Sequence, residues 1–228
     1  MKSVTHTLKF EYLDRGYNKT LVLLPGWATD ARIFGPLDLK FNYIVPKGDF
    51  PYSFEESLLD FVKKRSLSKI SMLGWSLGGF AAADFAAKQS HLIDELILIS
   101  IREKYKKGDL QRIERSLKKS KGGFLYKFYR QCFYNKENIK KYKEIFKTFR
   151  DSFKLDYLLD TLNYLSKTSI PSQALKDLNK IKIIHGKYDE IAPIEEARGI
   201  SEKLKAEFIE INNCGHLSFL EEDLSEHI

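Results

Sequence analysis

A serine flanked by glycines two positions away on either side, in Gly74-Trp75-Ser76-Leu77-Gly78, is the pattern of a hydroxyl held on a sharp turn. The stretch follows the apolar run KISML and precedes a run of small residues, GGFAAADFAAK. Between a strand and a helix, such a turn lifts Ser76 above the sheet beside the first N–H groups of the helix, where negative charge is favoured. A serine hydroxyl attacks a carbonyl only when a base removes its proton and an acid orients the base. Of His6, His91, His185, His216 and His227, His216 is the best placed base, because NNCGHLSFLEE directly follows the apolar run EFIEIN and precedes a C-terminal helix. His6 and His185 read as strand residues, and His91 and His227 as surface positions. Asp189, in HGKYDEIAP just past the run KIKII, is the candidate orienting acid; alone it reads more readily as a helix-capping or loop carboxylate.

An attacked carbonyl develops an oxyanion that needs N–H donors aimed at it. The backbone of Leu77, immediately after the serine, is one candidate. The other is the amide of Trp27 in PGWATD, where Gly26 allows a tight turn after the run LVLL. The Trp27 side chain also reads as an aromatic lid on the pocket wall, and the two roles are compatible.

These residues converge only if several strands end at one edge. Short apolar runs recur along the chain: VTHTLKFEYL, TLVLLPG, FNYIVP, KISMLGW, ELILIS, KIKIIHG and EFIEIN. Several are continuously apolar, as strands covered on both faces of a parallel sheet are. Helical patterns separate them: SFEESLLDFVKKRS with an N-cap at Ser53, LGGFAAADFAAK, and IEEARGISEKLK opened by Pro193. The alternation predicts a mostly parallel, doubly wound α/β sheet. The first two strands, with no helix between them, are expected to form an antiparallel hairpin at one edge.

From about Arg102 to Lys167 the alternation stops, and LQRIERSLKKS, GGFLYKFYRQCFY and FKLDYLLDTLNYL carry helical spacing. The reading is a core of residues 1–101 and 168–228 with a helical cap of 102–167, broken into separate helices at Gly122 and Gly123. Between Arg102 and Lys154, 18 lysines and arginines stand against 6 aspartates and glutamates, a net +12, while the rest of the chain sums to −5. The excess is either a docking face for an acidic partner or a solvated helical surface. Cys132 and Cys214 have neither disulfide-framework nor zinc spacing, so no metal or cofactor is expected. With no stretch of about 18 apolar residues and no secretion signal, a cytoplasmic monomer that does not insert in membranes is expected. Charge without an interleaved motif does not suggest a nucleic-acid binder.

LLPGWATDARIFGPL, LGWSLGGFAAADFA, HGKYDEIAP and NNCGHLSFLEE together resemble the α/β-hydrolase superfamily. Within it they look most like the pimeloyl-[acyl-carrier-protein] methyl ester carboxylesterases of biotin synthesis, over residues 20 to 100 and 180 to 222. The resemblance implies an α/β-hydrolase fold with a helical cap, Ser76 as nucleophile, His216 as base and Asp189 as its orienter. It makes Trp27 and Leu77 the oxyanion donors. It also implies a cap whose basic residues receive an acyl-carrier protein, for which Arg112, Arg115, Lys119, Lys127 and Arg130 are candidates matched in character rather than position. Phe124, Phe128, Tyr129 and Phe133 read as acyl-channel lining or as cap core. Pro25-Gly26 stands where the family carries His-Gly, and PKGDFPYSF replaces its Pro-Gly-x-Gly turn. The sequence leaves two rival readings: another α/β-hydrolase acting on a small metabolite, such as a general carboxylesterase or a menaquinone-pathway-like lyase, and a non-catalytic binding protein.

Overall fold

The computed structural model describes residues 8–48, 50–51 and 54–228. Over these residues a seven-stranded sheet forms from β1 (Lys9–Leu13), β2 (Thr20–Leu24), β3 (Asn42–Lys47), β4 (Ile70–Trp75), β5 (Ile93–Ile99), β6 (Ile181–Gly186) and β7 (Glu207–Ile211), in the order β1-β3-β2-β4-β5-β6-β7. β2 through β7 run parallel to their neighbours; β1 is antiparallel to β3. β2 and β4 are buried at every residue, which their continuously apolar sequences require when helices flank both faces.

The expected hairpin does not form. β1 pairs with β3, Tyr12 opposite Ile44, and leaves β2 in the interior between β3 and β4. TLVLL has no polar residue beyond Thr20 to face solvent, so an edge position beside β1 would expose it; the half-exposed KFEYL takes the edge instead.

Helix α1 (Phe54–Lys64) connects β3 to β4; the proposed N-cap Ser53, like His6, lies outside the described residues. Helix α2 (Leu77–Lys88) connects β4 to β5 and is buried at nine of its twelve residues. Its glycines and alanines let it lie close on β4 and β5. Between β5 and β6 come α3 (Lys107–Lys119), α4 (Lys121–Gln131), α5 (Lys143–Ser152), α6 (Leu155–Leu165) and α7 (Ser172–Leu175). The chain then completes α8 (Ile194–Leu204) between β6 and β7, and ends on the single turn α9 (Ser218–Glu221). The break between α3 and α4 falls at Ser120, not at the glycine pair: Gly122 and Gly123 lie in the first turn of α4, where Ser120 has left the helix and its extended backbone turns the chain.

The inserted helices bury Leu125, Phe128, Tyr129, Phe133, Phe146, Phe149, Leu158 and Leu162 among themselves and against the sheet domain. Tyr129 and Phe146 pack 4.7 Å apart, and Phe133 stacks on Tyr142 at 5.9 Å. Hydrogen bonds also tie them down: the Tyr129 hydroxyl donates to the Ala28 carbonyl (2.6 Å) and the Tyr142 hydroxyl to that of Leu220 (2.9 Å). Among the described residues, no helix is long and apolar enough to cross a membrane.

Candidate active site

Parallel pairing sets Leu24 beside Gly74 and Gly186 beside Ile211, so the loops after β2, β4, β6 and β7 emerge at one edge of the sheet. Ser76 follows β4 with φ 54° and ψ −115°, a left-handed backbone that costs a side-chain-bearing residue about 1–3 kcal/mol. The packing enforces it. A Cβ on Gly74 would sit 2.4 Å from the Gly78 carbonyl oxygen, and one on Gly78 would sit 2.1 Å from that of Leu24. Ser76 occupies the position that starts α2, where a serine ordinarily caps the helix with its hydroxyl. Here its side chain makes no capping bond, which leaves Oγ to other partners.

The Asp189 carboxylate, its side chain fully buried, divides its two oxygens between two tasks. Oδ1 accepts the Ile191 and Ala192 N–H groups (2.7 and 2.9 Å) and so shapes the turn into α8. Oδ2 accepts from His216 Nδ1 at 2.7 Å. The loop-carboxylate reading and the orienting-acid reading are therefore both satisfied, by different atoms. Burial alone would raise the Asp189 pKa, but the charge and hydrogen bond of His216, then His185 and the Ala192 N–H, hold it below its ordinary 3.8. An ionised carboxylate only accepts, so Nδ1 of His216 carries a proton and, when the imidazole is neutral, Nε2 keeps its lone pair. That Nε2 is buried and has no hydrogen-bond partner. The His216 carbonyl accepts from the indole Nε1 of Trp75 at 2.8 Å, and the two rings lie 5.5 Å apart, which joins the histidine loop to the residue preceding Ser76.

No protein-family model and no curated protein sequence matches the chain. Solved structures do. An esterase from Exiguobacterium antarcticum superposes with a TM-score of 0.82 at 19% identity, over 95% of this chain and 91% of that one. An alpha/beta hydrolase enzyme from a Medee basin deep-sea metagenome library superposes at 0.77 and 18% identity, over 94% and 89%. The enol-lactonase of Burkholderia xenovorans LB400 gives 0.77 and 16%, over 94% and 91%. The chain has the α/β-hydrolase fold.

The loop after β2 lies against the first turn of α2, since a Cβ on Gly78 would also come within 2.7 Å of the Pro25 carbonyl oxygen. Leu77 is the first residue of α2, and its N–H has no intrahelical acceptor by helix geometry. Trp27 lies in a loop folded back on itself, the Thr29 hydroxyl and N–H both donating to the Gly26 carbonyl (2.9 and 3.4 Å), while Ala28 adopts φ 59°. The Trp27 indole points into the inserted helices. It donates to Thr161 Oγ1 (3.0 Å) and packs edge-on against Phe128 (5.1 Å) and Phe124 (6.3 Å). Phe128, buried, and Phe124, partly buried, thus pack around Trp27 in the loop after β2. Ser76 is 5% exposed, Trp27 5% and His216 0%, so the site is roofed. The basic candidates lie elsewhere: Arg112, Arg115 and Lys119 on α3, and Lys127 and Arg130 on α4, are all exposed, with Arg112 paired to Asp109.

Three neighbours of the site carry no motif that reveals them in sequence. The Tyr105 phenol lies against Ser76; burial pushes its pKa up to about 12, opposed by its interaction with the Ser76 side chain. Arg102, tied to Glu196 at 2.6 Å, covers the Tyr105 ring at 4.9 Å. Glu221, five residues past His216, accepts the N–H of Gly215 (2.7 Å) in the histidine loop and those of Tyr134 and Asn135 (3.0 and 3.1 Å) just beyond α4. His185, set aside as a base, is instead a second imidazole on Asp189: its Nε2 lies 2.9 Å from the Ala192 carbonyl and 3.4 Å from Asp189 Oδ2.

Proposed function

We propose that this protein is a serine carboxylesterase in which Ser76, His216 and Asp189 act together. The observation that carries the reading is the Asp189–His216 pair, which leaves an unpartnered, lone-pair-bearing Nε2 on the loop packed against the serine elbow. Ser76 Oγ attacks the ester carbonyl carbon as His216 Nε2 takes its proton, and the N–H groups of Trp27 and Leu77 receive the oxyanion. Each such donor is worth about 3 kcal/mol in the transition state. Collapse breaks the bond to the alcohol, which leaves with the proton from His216. Water then attacks the acyl-enzyme, His216 taking its proton and returning it to Ser76 as the acid departs.

The substrate we favour is the methyl ester of pimeloyl-acyl-carrier protein, with methanol as the alcohol released. Motif resemblance supports it, as do the exposed cations of α3 and α4, which suit an acidic carrier. A second reading, hydrolysis of small free esters, is favoured by the burial of Ser76 and His216, which leaves little room for a large substrate. Rates on pimeloyl-carrier methyl ester and on short p-nitrophenyl esters, at low and high salt, separate the two. A carrier preference that fades with salt supports the first; indifference to the carrier supports the second. In either case Ser76→Ala is expected to lower kcat at least about 10⁴-fold without unfolding the protein, and a fluorophosphonate is expected to label the native chain at Ser76. Full activity of the variant would overturn the assignment.

A further inference from the structure

A cavity of about 440 Å³ opens between α4 and α5, inside the range of about 300–1,000 Å³ typical of small-ligand pockets. Its apolar and aromatic lining comes from Tyr126, Tyr129, Ile139 and Phe146, of which Tyr129 and Phe146 pack ring against ring. Its remaining lining is cationic: Lys140, Lys143, Lys147 and Arg150, with no acidic side chain among the lining residues. Lys140 is paired with Glu137 and Arg150 with Asp151. Lys143 and Lys147 stand one turn apart on α5, and neither makes an ion pair among the described residues. Two like charges on one helical face repel each other, and an anion between them removes that repulsion.

We propose that this cavity binds a medium-chain alkyl carboxylate, its chain against Tyr129 and Phe146 and its carboxylate between Lys143 and Lys147. A neutral lipid would leave the repulsion between Lys143 and Lys147 in place, and a small inorganic anion would leave the aromatic floor uncovered. Neither Ser76, Asp189 nor His216 lines this cavity, and its occupancy does not depend on the reaction proposed for them. It does touch the same machinery from behind, since the Tyr129 hydroxyl holds the carbonyl of Ala28, the residue after Trp27.

The test is calorimetric titration of decanoate, and of decanol as its uncharged counterpart, into the Ser76→Ala protein. Decanoate is expected to bind one to one, decanol at least about tenfold more weakly, the loss of one charge-assisted interaction. Lys143→Glu/Lys147→Glu is expected to weaken decanoate by a similar factor while leaving the melting temperature in place, because both side chains lie at the surface. A tryptophan placed at the exposed Tyr126, which also lines the cavity, is expected to change its emission on decanoate addition and not on decanol addition at the same concentration. Equal binding of the two ligands, or decanoate binding untouched by the charge reversal, would overturn the proposal. So would its loss in wild-type protein blocked at Ser76 by a fluorophosphonate, which would place the ligand at Ser76. The esterase reading is judged separately, by labelling and turnover.

Discussion

The loops that follow β4, β6 and β7 and the helices inserted between β5 and β6 meet where the histidine loop touches the chain beyond α4, yet they are held in unlike ways. In the loops the determinants are polar and geometric: a left-handed Ser76, glycines excluded from bearing a Cβ, and a buried carboxylate with each oxygen engaged. In the insertion they are aromatic, a ladder running through Tyr129, Phe146, Phe133 and Tyr142. The first kind of structure fixes atoms to fractions of an ångström with little contribution to global stability. The second buries large apolar area and tolerates exchange of one shape for another. Substitutions should therefore separate activity from stability according to the region they strike.

After Ser76 itself, the largest effect is expected at Asp189. Asp189→Asn keeps the volume but presents an amide to His216, favouring the tautomer that puts the proton on Nε2, where no proton can then be taken from Ser76. A loss of about 10⁴-fold in kcat is expected, measured on whichever ester the wild type turns over. A loss under tenfold would mean that Asp189 serves chiefly to shape the turn at Ile191 and Ala192. In the insertion, Phe133→Ala is expected to do the reverse. The side chain is fully buried, and its removal should cost about 3–5 kcal/mol in denaturant unfolding. At temperatures where the variant remains folded, kcat should stay within a few-fold of wild type.

Glu221 is where the two regions join, and it sharpens the contrast. Its carboxylate accepts N–H groups from the histidine loop and from the chain beyond α4, while the Leu217 N–H donates to the Cys132 carbonyl at 3.0 Å beside it. Glu221→Gln weakens charge-assisted hydrogen bonds on both sides, so about 1–3 kcal/mol of stability should be lost together with a fall in kcat at nearly constant KM. A change in stability alone would show that the histidine loop keeps its geometry without this brace.

How much of this was readable in the chain follows the same division. The strands, the elbow and the Asp189 and His216 loops are local: continuous apolar runs, glycines at fixed offsets and one helix-opening proline specify them within a dozen residues. The position of β1 was not legible, because pairing with β3 rather than β2 depends on which strand can tolerate an edge, a property of the assembled sheet. Glu221 and Tyr105 were missed for a related reason. Each acts on a partner remote in sequence, Tyr134 or Ser76, and neither spacing nor residue type distinguishes it from an ordinary surface or core residue. Trp27 shows both sides: its place in the loop after β2 was local information, whereas its indole bond to Thr161 was not.

His185 offers the finest test of the polar region, through pH. Burial is the main cause that lowers its pKa from the ordinary 6.5, only partly opposed by Asp189. The folded chain therefore binds this proton less readily than the unfolded chain. As pH falls below 6.5, the unfolded state gains a proton the folded state does not, and stability declines with a slope of at most about 1.4 kcal/mol per pH unit. Asp189 acts in a separate window: its folded pKa is depressed below 3.8, so its contribution is present above that value and is lost only as pH falls through the folded one. Replacing His185 by Gln retains a donor at the Nε2 position for the Ala192 carbonyl and removes the titration. Denaturant midpoints of His185→Gln should be flatter than wild type between pH 6.5 and 5, and the two curves should fall in parallel below pH 4. Identical slopes above pH 5 would mean that His185 charges as easily in the folded chain as in the unfolded one, and that its contact with Asp189 offsets its burial.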